Sequence, residues 1–294
     1  MSDRLFKRVA LIGIGLIGSS LARVLRRDMP QTRIVACARR AETLDAAQRL
    51  NLADETTDDP AAAADGADLV VLATPLSTYR EIATRIAPGL RKGAIVTDVG
   101  SVKEQVIRDV KPLIPEGVHF VPGHPVAGTE HSGPESGFAE LFRDRWCILT
   151  PLPDTAPEAV AKVTQLWQGA GMRVTQMAAD HHDKVLAVTS HLPHLIAYTI
   201  VGTATDLADD LKSEVIAFSA GGFRDFTRIA ASDPIMWRDI FLANREAVLE
   251  IVQRFTEDLT ALQRAIRWGE ADTLEDRFTK TRTIRRSVIE AKQA

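Results

Sequence analysis

Short apolar runs alternate with stretches of helical spacing through the first half of the chain. Arg8 to Ile14, Arg33 to Ala38, Leu69 to Ala73 and Ala94 to Val99 are continuous apolar runs of strand length. Between them Leu16 to Arg26, Ala41 to Leu50, Thr78 to Ile86 and Lys103 to Leu113 place apolar residues at helical intervals, and Ala61 to Ala64 reads as a small helix or loop. A strand with no polar side is buried on both faces, so this alternation predicts a parallel sheet covered by helices above and below. His119 to Val121 and then Trp146 to Leu149 are expected to extend that sheet, with Pro157 to Trp167 a further helix and Arg173 to Met177 a last strand. From His182 onward strand-like runs disappear and helical spacing dominates, broken at Gly221-Gly222 and Asp233-Pro234. The expected boundary is near Ala179: an α/β domain over 1–179 and an all-helical domain over 180–294. The stripe Phe241, Leu242, Val248, Leu249, Ile251, Val252 and Phe255 suits an internal core or a dimer seam.

One feature of the first strand–helix turn changes this from architecture to chemistry. Gly13-Ile14-Gly15-Leu16-Ile17-Gly18 follows an apolar strand and opens a helix. In that context Gly13 permits a tight turn, Gly15 lets a pyrophosphate approach the backbone, and Gly18 lets helix pack on strand. The helix N-terminus then offers free N–H groups and a positive dipole end. The segment predicts a Rossmann-type domain that binds a nicotinamide dinucleotide. The acidic residue usual for NAD about 20 residues past the turn is missing, because the neighbourhood reads Ala36-Cys37-Ala38-Arg39-Arg40 and the next carboxylate is Glu42. Arg39 can face a 2′-phosphate, or cap the strand end with Arg40 and stack on adenine, so NAD and NADP both stay open. Leu16, Ile17, Thr74 and Ser101 complete the expected cofactor contacts.

Composition narrows the partners. With 26% charged and 45% hydrophobic residues among 294, and a net charge of -3, the chain has no basic excess for nucleic acid or an anionic membrane surface. No uninterrupted apolar stretch of about 20 residues stands out as a membrane span, and no signal peptide is expected, so a cytoplasmic protein acting on a small molecule is anticipated. The two cysteines, Cys37 and Cys147, lie in separate strand-like runs and suit buried, reduced thiols.

Five further segments need a common explanation: Asp98-Val99-Gly100-Ser101-Val102-Lys103, Gly123-His124-Pro125-Val126-Ala127-Gly128-Thr129-Glu130-His131-Ser132-Gly133, Ser190-His191-Leu192-Pro193-His194, Gly221-Gly222-Phe223-Arg224-Asp225-Phe226-Thr227-Arg228-Ile229-Ala230, and Asp233-Pro234-Ile235-Met236-Trp237-Arg238-Asp239. In this order behind a Rossmann-type domain, the chain resembles the prephenate and arogenate dehydrogenases of tyrosine biosynthesis over nearly its whole length. The resemblance implies oxidative decarboxylation of a cyclohexadienol with NAD(P)+, and a helical dimerisation domain that makes a homodimer.

At the resembling positions, His124 is the expected proton acceptor, since a neutral imidazole suits removal of a hydroxyl proton as hydride leaves. The resemblance places Ser101 beside the nicotinamide and substrate hydroxyl, within reach of His124. Its alternative is the N-cap of the helix starting near Val102, and Lys103 is expected to be solvated. Arg228 is the expected carboxylate grip, its planar fork suiting bidentate contact. Asp225 is expected to pair with it, and Glu130 to join the same network. The resemblance puts His194 in the substrate pocket with His191 nearby. The i, i+3 spacing of these two histidines could also suggest a metal pair with Asp183 or His181, but no metal is expected. His119, His131, His181 and His182 read as ordinary loop or surface histidines, and Trp237 as a packing residue. Two rivals stay in view. A β-hydroxyacid dehydrogenase or imine reductase would use a catalytic lysine, but Lys184 and Lys212 lack glycine-rich surroundings. A non-catalytic redox sensor would not need His124, Ser101 and Arg228 together.

Overall fold

The computed structural model describes residues 5–205, 214, 218 and 221–290; Lys212 lies outside them. Five parallel strands follow the sequence pattern closely: β1 (Arg8–Ile12), β2 (Arg33–Cys37), β4 (Leu69–Leu72), β5 (Ile95–Asp98) and β6 (His119–Val121). A short β3 (Glu55–Thr57), too polar to stand out as apolar, completes a six-stranded sheet in the order β3-β2-β1-β4-β5-β6. Every neighbouring pair is parallel. The helices that cross between strands are α1 (Leu16–Asp28), α2 (Ala41–Arg49), α3 (Pro60–Ala64), α4 (Tyr79–Ile86) and α5 (Glu104–Val110).

The continuous apolar runs have a direct cause. Val9 and Leu11 of β1 join one buried cluster with Ile34, Leu69 and Val71. Ala10 and Ile12 join another, with Val35, Val70, Leu72 and Val96. Alternate residues of each strand therefore enter two cores, one on each face, as strand geometry requires. Both cysteines are buried and free, and burial pushes the Cys37 thiol up to about 11.

One expected strand does not extend this sheet. β7 (Gly123–Pro125), β8 (Trp146–Leu149) and β9 (Arg173–Gln176) form a separate three-stranded sheet, with β7 antiparallel and β9 parallel to β8. Apolar pattern identifies a strand but not its neighbour: only Pro122 separates β6 from β7, yet β7 leaves the large sheet and is the strand that β8 pairs with. Pro125 is tolerated there because β7 is an edge strand. α6 (Pro157–Gly169) precedes β9.

After β9 the described chain is helical. α7 (Ala179–Leu186) runs through a one-turn π-bulge, Ala187–His191, into α8 (Leu192–Thr205). By length and composition this run, Ala179–Ala204, is long and apolar enough to cross a membrane, although Asp180, His182, Asp183, Lys184, His191 and His194 interrupt its apolar sequence. Three of those, His182, Asp183 and His191, are buried in polar contacts described below. α9 (Gly221–Thr227), α10 (Pro234–Ala243), α11 (Arg245–Trp268) and α12 (Ala271–Glu290) follow. Asp233 caps α10 by accepting from the Ile235 and Met236 amides, with Pro234 at the first turn. The apolar stripe beginning at Phe241 is not one helix. It breaks at Asn244, whose side chain turns inward. By contacts the chain divides into compact units of 1–245 and 246–294. Within the second, Arg277 of α12 pairs with Asp258 of α11 at 2.7 Å.

Candidate active site

A parallel sheet directs the loops that follow its strands to one edge, and ligands bind there where the strand order reverses. In this sheet the reversal lies between β1 and β4. The glycine turn follows β1, Thr74 follows β4, Arg39 follows β2 and Ser101 follows β5, so four separate segments meet on one edge.

Each glycine of the turn has a physical reason. Gly13 has φ +102°, and a Cβ there would lie 2.5 Å from the Ala73 backbone. A Cβ on Gly18 would lie 2.1 Å from the Gly13 carbonyl oxygen. Gly15 differs, because its Cβ would meet nothing within 4 Å. That space opens onto the start of α1, which has no side-chain cap and no acidic residue in its first turn. Leu16 and Ile17 are the first residues of that helix, and both pack partly against the core. Free amides, open space and no competing carboxylate fit a dinucleotide pyrophosphate. The Gly13 amide donates to the Cys37 carbonyl at 2.8 Å, which sets the end of β2, and with it exposed Arg39, beside the turn.

His124 stands on β7 with 6% of its surface exposed. Its strand is fixed to the end of β5 by two fully buried side chains, Asp98 and Lys103. The Gly123 amide donates to Asp98 Oδ1 at 3.1 Å, and Lys103 Nζ donates to the Gly123 carbonyl at 2.6 Å and to Asp98 Oδ2. Lys103 is therefore not the solvated residue expected from sequence. It lies just ahead of α5, but its stem runs inward to a carboxylate that needs a cation. Burial raises the Asp98 carboxyl and lowers the Lys103 ammonium, and their mutual attraction opposes both shifts.

His182 also departs from expectation: it is fully buried, not a surface histidine. Its Nε2 lies 2.9 Å from His124 Nδ1, and its Nδ1 lies 2.7 Å from Asp183 Oδ1. Asp183 in turn accepts the Lys103 amide at 2.7 Å and the Glu104 amide at 2.9 Å. It thereby caps α5 from α7, and Ser101 does not serve as that cap. Ser101 is half-buried on the β5–α5 loop, with no side-chain hydrogen bond, to His124 or otherwise, among the described residues. Burial, then His182, Lys103 and His191, hold the His124 imidazole well below its ordinary range. Burial likewise lowers His182.

The residues expected to grip substrate form a more open group. Arg228, just past α9, pairs through one guanidinium nitrogen with Glu130 Oε2 at 3.1 Å, their side chains 59% and 30% exposed. Asp225 is exposed on α9 and is not the partner of Arg228, since the chain turns from α-helix into a 3₁₀ turn at Arg228. Glu130 sits below the ordinary carboxylate range through its own backbone amide and Arg228. His194 stacks on Trp237 with centroids 3.6 Å apart, and its Nδ1 donates to the Ser190 carbonyl at 2.9 Å. Burial lowers its imidazole, and Arg228 adds to the effect, which puts the two in one electrostatic neighbourhood. His191 is buried behind them. Asn244 Nδ2 lies 3.1 Å from His191 Nδ1, and burial lowers that ring to about 4. The two histidines thus hydrogen-bond to different partners, Ser190 and Asn244, while both rings pack against Trp237. His119 is half-buried at the start of β6, and His131 and His181 are exposed.

Comparison with known proteins agrees with this layout. Residues 21–176 match the family model described as prephenate dehydrogenase, nucleotide-binding domain, and residues 178–280 match prephenate dehydrogenase, dimerization domain. A cyclohexadienyl dehydrogenase of Zymomonas mobilis is 42% identical over 95% of both chains. A prephenate dehydrogenase of Bacillus subtilis is 34% identical over 94% of this chain and 74% of its own length. Among solved structures, prephenate dehydrogenase from A. aeolicus, in complex with hydroxyphenyl propionate and NAD+, superposes with a TM-score of 0.87 at 36% identity, covering 96% of this chain and 98% of that one. The chain belongs to the prephenate and arogenate dehydrogenase family of oxidoreductases.

Proposed function

We propose that the chain oxidatively decarboxylates prephenate, arogenate or both, giving 4-hydroxyphenylpyruvate or tyrosine, as a cytoplasmic homodimer. The observation that carries this reading is a buried imidazole, His124, on an enzyme whose adjoining sheet edge is built for a dinucleotide. Held at the turn of Gly13, Gly15 and Gly18 and the start of α1, an NAD(P)+ would supply the acceptor for the hydride on the ring carbon bearing the hydroxyl. His124 takes the hydroxyl proton through Nε2, which has no hydrogen-bond partner among the described residues. Burial keeps it neutral, and therefore able to accept, to lower pH than a free imidazole. Ser101 offers an uncommitted hydroxyl to the same substrate oxygen. Carbon dioxide leaves as the ring becomes aromatic, and the proton returns to the phenolate oxygen. Arg228 grips a substrate carboxylate, exchanging its exposed contact with Glu130 for it, with His194 lining the pocket, His191 behind it and Asp225 adding polar surface at the rim.

Arg39 carries no ion pair among the described residues and admits a 2′-phosphate. Arg39→Ala is expected to raise KM for NADP+ and leave that for NAD+ unchanged; equal changes would remove this role. The dimer rests on the dimerization-domain match and on exposed apolar residues of α11 and α12, Leu249, Leu259, Ile266 and Phe278; sedimentation as a stable monomer would overturn it. The lysine-based rival has little support: Lys184 is 64% exposed and pairs with Asp180, while buried Lys103 is committed to Asp98. Mixing the protein with prephenate or arogenate and each oxidised cofactor, and following reduced nicotinamide absorbance, tests the whole reading. No turnover with any of the four combinations would reject it.

A further inference from the structure

A neutral imidazole carries its proton on one nitrogen only, and only the other can accept a proton. His124 as a base therefore needs its proton on Nδ1, and something must choose that tautomer. We propose that His182 and Asp183 are positioning residues that hold His124 with Nδ1 protonated and Nε2 free, which deepens the reading of His124 as the base and rests on it.

The choice is made at the far end of the chain of contacts. Asp183 accepts two backbone amides, those of Lys103 and Glu104, one on each carboxylate oxygen. Both donors come from the start of α5, where unsatisfied amides favour a negative charge. Asp183 is thus an acceptor, so His182 Nδ1, 2.7 Å away, is the donor. A neutral His182 then has its lone pair on Nε2. The group facing that lone pair, 2.9 Å away, is His124 Nδ1, which must donate. Every step is fixed by the one before it, and the start is fixed by peptide N–H groups that cannot change role. When His124 takes a proton on Nε2, the same contacts face its new positive charge with a lone pair and, beyond it, a carboxylate.

The groups acting on His124 are His182, Lys103 and His191; those acting on His182 are Asp183, Lys103 and Asp98. Three of these charges are buried and tied in place, so the pH response should follow the His182 substitution alone. Neither His182 nor Asp183 reaches the cofactor turn, so a positioning role should leave cofactor affinity untouched.

The test compares His182→Leu, which removes the acceptor, with His182→Gln, whose amide oxygen can accept from His124 Nδ1. His182→Leu is expected to lower kcat about a hundredfold or more, with KM for substrate and cofactor within about threefold. Its kcat/KM–pH profile should also shift relative to wild type. His182→Gln should recover kcat to within about tenfold of wild type. Equal kcat values for wild type and His182→Leu would overturn the proposal, and so would a failure of His182→Gln to exceed His182→Leu. Should these variants not fold, nitrogen-15 shifts of histidine in the wild-type enzyme decide it: the His124 signal, assigned by its loss in His124→Asn, is expected from the Nδ1–H form, and an Nε2–H form rejects the proposal. His124→Asn separates the two levels. If it is inactive while His182→Leu is fully active, only the positioning role falls. If His124→Asn is itself fully active, the base assignment falls.

Discussion

The base end and the anion end of the site are built on opposite plans. Around His124, Asp98 and Lys103 are fully buried and Asp183 nearly so, and each polar group has a partner on another segment. Around Arg228, the contact to Glu130 is single and largely exposed. The difference follows from what each end must do. A proton acceptor works only in one orientation and one tautomer, which a buried network can impose. A carboxylate grip must release one partner to accept another, and an exposed ion pair, worth little by itself, gives way at small cost.

The sharpest way to break this contrast is at the base itself. His124→Asn should lower kcat by roughly 10²- to 10⁴-fold with little change in thermal stability; steady-state kinetics showing kcat within tenfold of wild type would sink the assignment. Next comes the network beneath it. Lys103→Met leaves Asp98 buried without its cation and should cost about 3–5 kcal/mol by urea denaturation. Exposed Lys184→Met should stay within about 0.5 kcal/mol. Equal losses in the two variants would mean the burial carries no energetic weight.

Acid offers a third lever. The buried His191 has its pKa lowered to about 4, against 6.5 for the free group. The unfolded chain therefore binds this proton first as pH falls, and stability is present above about 6.5 and lost progressively toward 4. The loss from His191 alone is on the order of 3 kcal/mol, and His124 and His182 act in the same direction. Constant unfolding free energy between pH 7 and 4.5, approximate bounds set by those values, would contradict it. The smallest effect belongs to the anion end. Arg228→Ala should raise the substrate KM roughly tenfold, with kcat and stability nearly unchanged. An unchanged KM would remove Arg228 from substrate binding.

How much of this could be read from sequence depended on how local each requirement is. The glycine turn was legible because its constraints, a positive φ at Gly13 and contact between Gly18 and Gly13, arise within six residues. The doubly covered sheet was legible because burial on both faces writes itself along each strand. His124, Arg228 and Glu130 were reached through the family resemblance, and the structure supplies their surroundings. Lys103 and His182 were misread because their burial depends on segments far along the chain: Gly123 for the first, His124 for the second. Two faint signals existed, an aspartate five residues before Lys103 and the adjacent His182-Asp183 pair at a helix start. Neither specifies burial without the fold. The partner of β8 was missed for the same reason, since β8 pairs with β7, a strand more than 20 residues earlier in the chain, in which Gly123, His124 and Pro125 carry no apolar run.

The cap that Asp183 places on α5 also bears on how members of this family can be recombined. The family models meet between residues 176 and 178, an inviting place to join halves from two relatives. Asp183 lies beyond that joint and the amides of Lys103 and Glu104 lie before it, so the seam in the sequence is not a seam in the mechanics. A chimera joined there inherits a helix start from one parent and its counter-charge from the other. Where the parents differ at these positions, both the helix and the histidine behind it lose their anchor, and the crossover is better placed so that α5 and α7 travel together.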